Sequence, residues 1–203
     1  MLSLLREKVQ PVGRLIAKPF VQAGISPNAI TLAAIPLSTV AALAVVKGYF
    51  ALAFCLALPS VLLDFLDGAV ARASGQVSDY GNHLEAVVDR YVEAALLAGL
   101  SAHFPVLATA ALGFSMLVSY IKARVALVIA SDNSDWPGVG DRADRMVLLL
   151  LALLFLACGM PQPSVLSLVA LTVIAAVGSA QRLKHSKLLI ERAEKGESGG
   201  PRT

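Results

Sequence analysis

Four carboxylates in the first half of the chain stand where acids are costly. Asp64 and Asp67 are three residues apart, and Glu85 and Asp89 are four apart. On a helix both spacings put the pair on one face. Each pair borders a long apolar run, a setting in which ionisable side chains mark function by default. A short loop joins the two segments, so they are expected to pack as antiparallel neighbours with their charged ends together. Four negative charges converging in a low-dielectric site repel one another strongly. Bound cations relieve that repulsion, and an all-oxygen ligand set suits Mg2+, Mn2+ or Ca2+. Four carboxylates suffice to bridge two such ions. A metal pair with Arg72 beside it suits a pyrophosphate, because cations neutralise its oxygens and polarise the phosphorus. The blander account has the acids pairing with Arg72 and Arg90 simply to hold two helices together. For one acid that account would serve equally well; for four acids on two faces it is the weaker one.

The elements that must position these groups are read from the apolar pattern. Of 203 residues, 57% are hydrophobic and 15% charged, with a mean hydropathy of +0.72. The expected fold class is therefore all-α, a polytopic membrane protein of six transmembrane helices. An N-terminal amphipathic helix over residues 1–22 is expected on the membrane surface. There Leu2, Leu5, Val9, Val12, Leu15, Ile16 and Phe20 recur near a 3.6-residue period among basic residues, with Pro11 and Pro19 as kinks or breaks. Ser26 and Pro27 read as the cap and first position of a first span over 28–46. A second span starts near residue 50. Its apolar part ends at Leu63, too soon to cross a ~30 Å hydrocarbon core, so the helix must continue through Asp64, Asp67 and Arg72. A loop over 74–80 leads to a third helix from near Gly81. Further spans are expected over 105–121, 146–159 and 164–181, with a charged flexible tail over 185–203. The core domain is thus residues 23–184. Six spans put both termini on one side, and every Lys and Arg except Lys47 falls at or near that side, which is then cytoplasmic together with the acidic site. Cys55 and Cys158 lie in apolar runs and read as small hydrophobes rather than a disulfide or metal pair. No internal repeat stands out, and no nucleic-acid partner is expected.

Small residues accompany the acids. Gly68, Ala71 and Gly81 allow backbone and a bulky ligand to approach closely, or allow tight helix packing. Ser78 is placed to bond phosphate or to brace the loop. Taken in order, Asp64-x2-Asp67-Gly68-x2-Ala71-Arg72-x8-Gly81-x3-Glu85-x3-Asp89 resembles the signature of the CDP-alcohol phosphotransferase family. Every spacing of that long pattern is kept. One position departs: Glu85 stands where the family has an aspartate, keeping the charge and the oxygen ligands but adding a methylene. The resemblance implies that Asp64, Asp67 and Glu85 bind two divalent cations, Mg2+ with Mn2+ as the alternative. It implies that Asp89 is the catalytic base and also touches a metal. It further implies that the nucleotide of a CDP-lipid, CDP-diacylglycerol or CDP-archaeol, lies against Gly68, Ala71, Arg72, Ser78 and Gly81. The start of the first span, where Asn28 and Thr31 match the family's "PN-x-x-T" element, completes that surface. A homodimer in the cell membrane is the assembly such families imply.

A second basic set is expected on the same side: Ser119 and Lys122 in "SYIKAR", Arg142 in "GDRADRM", and Arg182 at the end of the last span. Singly, each reads as an ordinary snorkelling or positive-inside residue. Together they resemble the branch of the family that makes phosphatidylinositol phosphate or its archaeal ether-lipid counterpart, in which they would hold the phosphate of a phosphorylated polyol. Val125 and the loop over 131–140 depart from that branch. Glycerol 3-phosphate is the alternative acceptor. A cation or proton transporter, or a non-catalytic membrane scaffold, would also tolerate buried acids, but neither class requires Gly68, Arg72 and Gly81 at these spacings.

Overall fold

Ser26 opens the first long helix as its type suggests. Its backbone is extended and its hydroxyl accepts from the Ala29 N–H at 3.3 Å, with Pro27 in the first helical position. The computed structural model describes residue 13 and residues 15–129, 136 and 139–195. Among these it is helical throughout, with no strand. A segment at 15–22 forms α1. It is followed by α2 (Pro27–Val46), α3 (Phe50–Ser74), α4 (Asp79–Ser101), α5 (Pro105–Val125), α6 (Arg142–Ala157) and α7 (Pro161–Glu194). Four of these, α2, α3, α5 and α7, are long and apolar enough to cross a membrane. Two helices expected to span are not among them. α4 gives much of its length to Asp79, Glu85, Asp89, Arg90 and Glu93, and α6 has only 16 residues. At 1.5 Å per residue, 16 residues cover about 24 Å.

The expected second span, α3, runs through its charged turns, as the length argument requires, and stops at Gly75, which adopts φ +70 as a left-handed cap. Two boundaries differ from the sequence reading. α6 starts at Arg142 rather than near 146: its first turn is the polar stretch Arg142–Arg145, which the apolar pattern does not reveal. α7 continues to Glu194, where a flexible tail from residue 185 was expected. Its last turns keep an apolar stripe, with Leu189, Ile190 and Ala193 packing against Val125, Ile129 and Trp136. The Trp136 ring meets His185 edge-on, with centroids 5.9 Å apart. Residues 196–203 lie outside the described residues.

The chain divides into two compact units, Met1–Gly99 and Leu100–Thr203. In the first, α2 packs along α3. Gly99 brings α4 against α2 so closely that a Cβ there would lie 2.8 Å from the Ala42 carbonyl oxygen. The expected amphipathic helix lies for the most part outside the described residues. Its last two turns, α1, run unbroken through Pro19, and Ala17 is fully buried in a cluster with Ile30, Ala69 and Val70. Leu15 and Ile16, members of the apolar stripe read from the sequence, point outward. So α1 docks on the helices through Ala17 with Phe20 and Val21 packed beside it, and leaves Leu15 and Ile16 exposed.

In the second unit α7 packs against both α5 and α6. Gly140 (φ +71) and Gly178 meet backbone to backbone: a Cβ on Gly178 would sit 2.6 Å from the Val139 oxygen, and one on Gly140 would sit 2.5 Å from the Ile174 oxygen. No side chain rotates out of a clash with a main-chain oxygen. Gly178→Ala is therefore expected to cost about 1–3 kcal/mol of overpacking and to lower Tm by roughly 2–12 °C. Gly113→Ala on α5, where a Cβ meets nothing within 4 Å, is the control and should leave Tm within about 2 °C. Paired melting curves decide the point.

Candidate active site

The first unit contains a cleft of about 1350 Å³ where the end of α3, the start of α4 and one face of α1 face each other. Asp64, Asp67, Gly68, Ala71, Arg72, Ser78, Gly81 and Glu85 all line it. Within the unit, one carboxylate oxygen from each of Asp64, Glu85 and Asp89 lies within 4.8 Å of the others, and all three side chains are half-buried. The short turn between α3 and α4 brings their charged ends together. Asp64 sits nearly three turns before the α3 C-terminus, and Glu85 and Asp89 occupy consecutive turns of one α4 face. Asp89 also lies 3.7 Å from the Arg90 guanidinium, beyond hydrogen-bond distance.

Asp67 stands apart from that trio. It is 3% exposed, accepts from the Thr31 hydroxyl at 2.5 Å and from the Gly68 N–H at 2.6 Å, and so joins α2 to α3. Thr31, expected at the nucleotide, thus orients an acid of the cleft. Asn28 stands beside Gly81: a Cβ on Gly81 would lie 3.4 Å from Asn28 Oδ1 and 3.1 Å from Ser78 Oγ. The Ser78 hydroxyl accepts from the Gly81 N–H at 3.0 Å, which fixes the loop at the head of α4. Gly68 has an evident reason to be glycine as well. The Arg72 guanidinium folds back over it, 3.2 Å from where a Cβ would be, and remains exposed to the cleft.

An all-carboxylate donor set of this spacing fits hard divalent cations. Oxygens of one Mg2+ shell are separated by about 3–4 Å, given ligand distances near 2.0–2.1 Å, so a trio within 4.8 Å needs little closure. Each pair of such charges costs about 4 kcal/mol at an effective dielectric near 20. Lys18 and Gln22, one turn apart on α1, also line the cleft. Sequence reasoning missed them because their only visible signal was a basic amphipathic pattern, which points at lipid headgroups.

The second basic set lies in the second unit. Ser119 and Lys122 are on the last turns of α5, Arg142 opens α6 and Arg182 is on α7. Arg182 ties them together. Its Nη1 donates to the Val118 carbonyl at 3.0 Å, and its Nη2 pairs with the Asp141 carboxylate. Ser119 and Arg142 are the chain neighbours of those two partners. Arg182 is 6% exposed, so the side chain expected to grip an anion is held by a protein carboxylate. Nearby, Arg145 donates to the Gly140 carbonyl at 2.5 Å, which braces the preceding turn. Neither Asp141 nor Arg145 was singled out from the sequence.

Residues 24–180 match the model of a family described as CDP-alcohol phosphatidyltransferase. The chain is 33% identical over 160 residues to an archaetidylinositol phosphate synthase of Pyrococcus horikoshii, covering 76% of this chain and 83% of that one. It is also similar to crystal structures of a Mycobacterium tuberculosis phosphatidylinositol phosphate synthase. The structure in complex with manganese and citrate superposes with a TM-score of 0.73 at 25% identity, covering 86% of this chain and 88% of that one. The structure with CDP-DAG bound gives the same TM-score and identity, covering 87% and 94%.

Proposed function

We propose, for a chain that belongs to the CDP-alcohol phosphatidyltransferase family, the transfer of a phosphatidyl or archaetidyl group from a CDP-linked lipid to a hydroxyl of a phosphorylated polyol, with release of CMP. Inositol phosphate is the acceptor we favour, and glycerol 3-phosphate the runner-up. One observation carries the reading: Asp64, Glu85 and Asp89 draw together, and the first two line the same cleft as Gly68, Arg72, Ser78 and Gly81. The relatives support the acceptor class, being named for inositol phosphate products.

In this reading Asp64, Asp67, Glu85 and Asp89 hold two divalent cations, Mg2+ or Mn2+; when bound, these supply charge neutralisation at the pyrophosphate. The manganese-bound relative supports that assignment. Arg72, free of a Cβ at Gly68, is positioned to bind a phosphate oxygen, and Asn28 and Ser78 flank Gly81 where the nucleotide would lie. Asp89 takes the proton of the acceptor hydroxyl. That oxygen bonds to the lipid-side phosphorus, the bond from this phosphorus to the CMP oxygen breaks, and CMP leaves. Placement and charge compensation do most of the work in such transfers. Ser119, Lys122, Arg142 and Arg182 hold the acceptor phosphate.

The chain acts in the cell membrane as a multi-pass protein of six spans, residues 23–184 forming the catalytic domain, with the site and both termini cytoplasmic. Outward-facing Leu43, Leu62, Leu117, Leu166 and Val173 support a lipid-facing surface. Leu15 and Ile16 suit a shallow immersion of α1.

The test is purified protein with labelled CDP-diacylglycerol or CDP-archaeol, Mg2+, and inositol phosphate, glycerol 3-phosphate, inositol or serine. CMP release is expected with phosphorylated polyols, inositol phosphate foremost. Turnover with free inositol or serine instead would overturn the acceptor assignment. Arg142→Ala should raise KM for the phosphorylated acceptor about 10–100-fold, the worth of one charge-assisted hydrogen bond. Its KM for the CDP-lipid should stay within a few-fold.

A further inference from the structure

The first residue before α6 is an aspartate with extended backbone, φ −61 and ψ 162. An aspartate at that position ordinarily turns its carboxylate onto the N–H groups of the first helical turn. Asp141 makes no such bond. Its carboxylate pairs with Arg182 instead. The Gly140–Gly178 contact explains why this is within reach. It lays the turn before α6 directly on α7, one helical turn below Arg182. The two partners differ in exposure: the Asp141 side chain is 54% exposed and the Arg182 side chain 7%. Asp141 is thus the outer member of the pair, and Arg182 the buried one, anchored from behind by the Val118 carbonyl.

We infer that Asp141 is a displaceable counter-ion, which the phosphate of the acceptor replaces on Arg182. The inference rests on the reading of Arg182 as an acceptor-phosphate ligand. Without a substrate, Asp141 neutralises the charge of a buried guanidinium. An incoming phosphate exchanges one anion for another on Arg182 and gains the fork geometry that guanidinium groups offer phosphates. The released carboxylate has a second partner nearby, the N–H groups and positive end of α6, which Asp141 already has the backbone to cap. A neutral hydroxyl offers Arg182 less than the carboxylate does and leaves the pair closed.

The experiment is calorimetric titration of the purified full-length protein in detergent with inorganic phosphate and, separately, inositol phosphate. Wild type is compared with Asp141→Asn, Asp141→Ser and Arg182→Ala. Asparagine and serine both cap helices, so the start of α6 is retained, and serine is too short to reach Arg182. In both Asp141 variants the Kd for phosphate is expected to fall about 3–10-fold, and the KM for inositol phosphate to fall by a similar factor. Phosphate binding that is unchanged or weaker in both variants, with Arg182→Ala weakening it, overturns the counter-ion role and leaves the acceptor site standing. Wild-type phosphate affinity in Arg182→Ala overturns both.

Discussion

Asp89→Asn is expected to lower CMP release about 10²–10⁴-fold, the contribution of a positioned general base, with the protein still folded. Asparagine matches aspartate in size and keeps an acceptor oxygen, and the Arg90 guanidinium at 3.7 Å is beyond hydrogen-bond distance. Tm should therefore stay within a few degrees, and KM for the CDP-lipid should change much less than kcat. Rescue by a neighbour is not expected. Glu93 lies one turn further along the same face of α4, but it is fully buried and outside the acidic trio. Glu85 stands on the other side of Asp89, where it is a proposed metal ligand. Near-normal turnover in Asp89→Asn would remove Asp89 from the base role and send the search to the acceptor's own phosphate as the proton acceptor.

The site's first half was legible for a physical reason. Charge inside an apolar run is expensive enough that each acid and its spacing carries information, and helical periodicity converts spacing into a shared face. So Asp64, Glu85 and Asp89 are found together. The continuation of α3 past Leu63 followed equally directly from the thickness of a bilayer. What stayed hidden depends on side-chain direction and on contacts distant in sequence. Thr31 matched a nucleotide element, yet its hydroxyl goes to Asp67, 36 residues on. Lys18 and Gln22 line the cleft because Ala17 seats α1 on α3, and an alanine in a basic helix gives no sign of that. Arg182 looked like one more positive residue at the end of a span. Its pairing with Asp141 depends on two glycines, 140 and 178, whose close approach no local pattern encodes.

Removal of divalent cations is the other large effect expected. Excess EDTA should lower turnover to below about one hundredth, and Mg2+ or Mn2+ should restore it, since neutralising developing charge at a phosphoryl group is the main demand of such reactions. The same ions should stabilise the protein. Carboxylate oxygens held within 4.8 Å of one another repel until something positive lies between them. Ions binding only the folded state add about 2.7 kcal/mol at a hundred times their Kd, or roughly 5–10 °C in Tm for a chain of this size. Asp64→Asn removes one of the three charges. It should raise the Tm measured in EDTA, where repulsion is relieved, and shrink the increment that Mg2+ adds. A cation-independent Tm in wild type, with full activity in EDTA, would mean that the acids of α3 and α4 are compensated by the protein's own cations. A wild-type increment that Asp64→Asn leaves intact would place the ions elsewhere. The two measurements together separate a metal centre from a network of ion pairs, because in such a network removing Asp64 strands a positive partner and lowers the EDTA Tm instead of raising it.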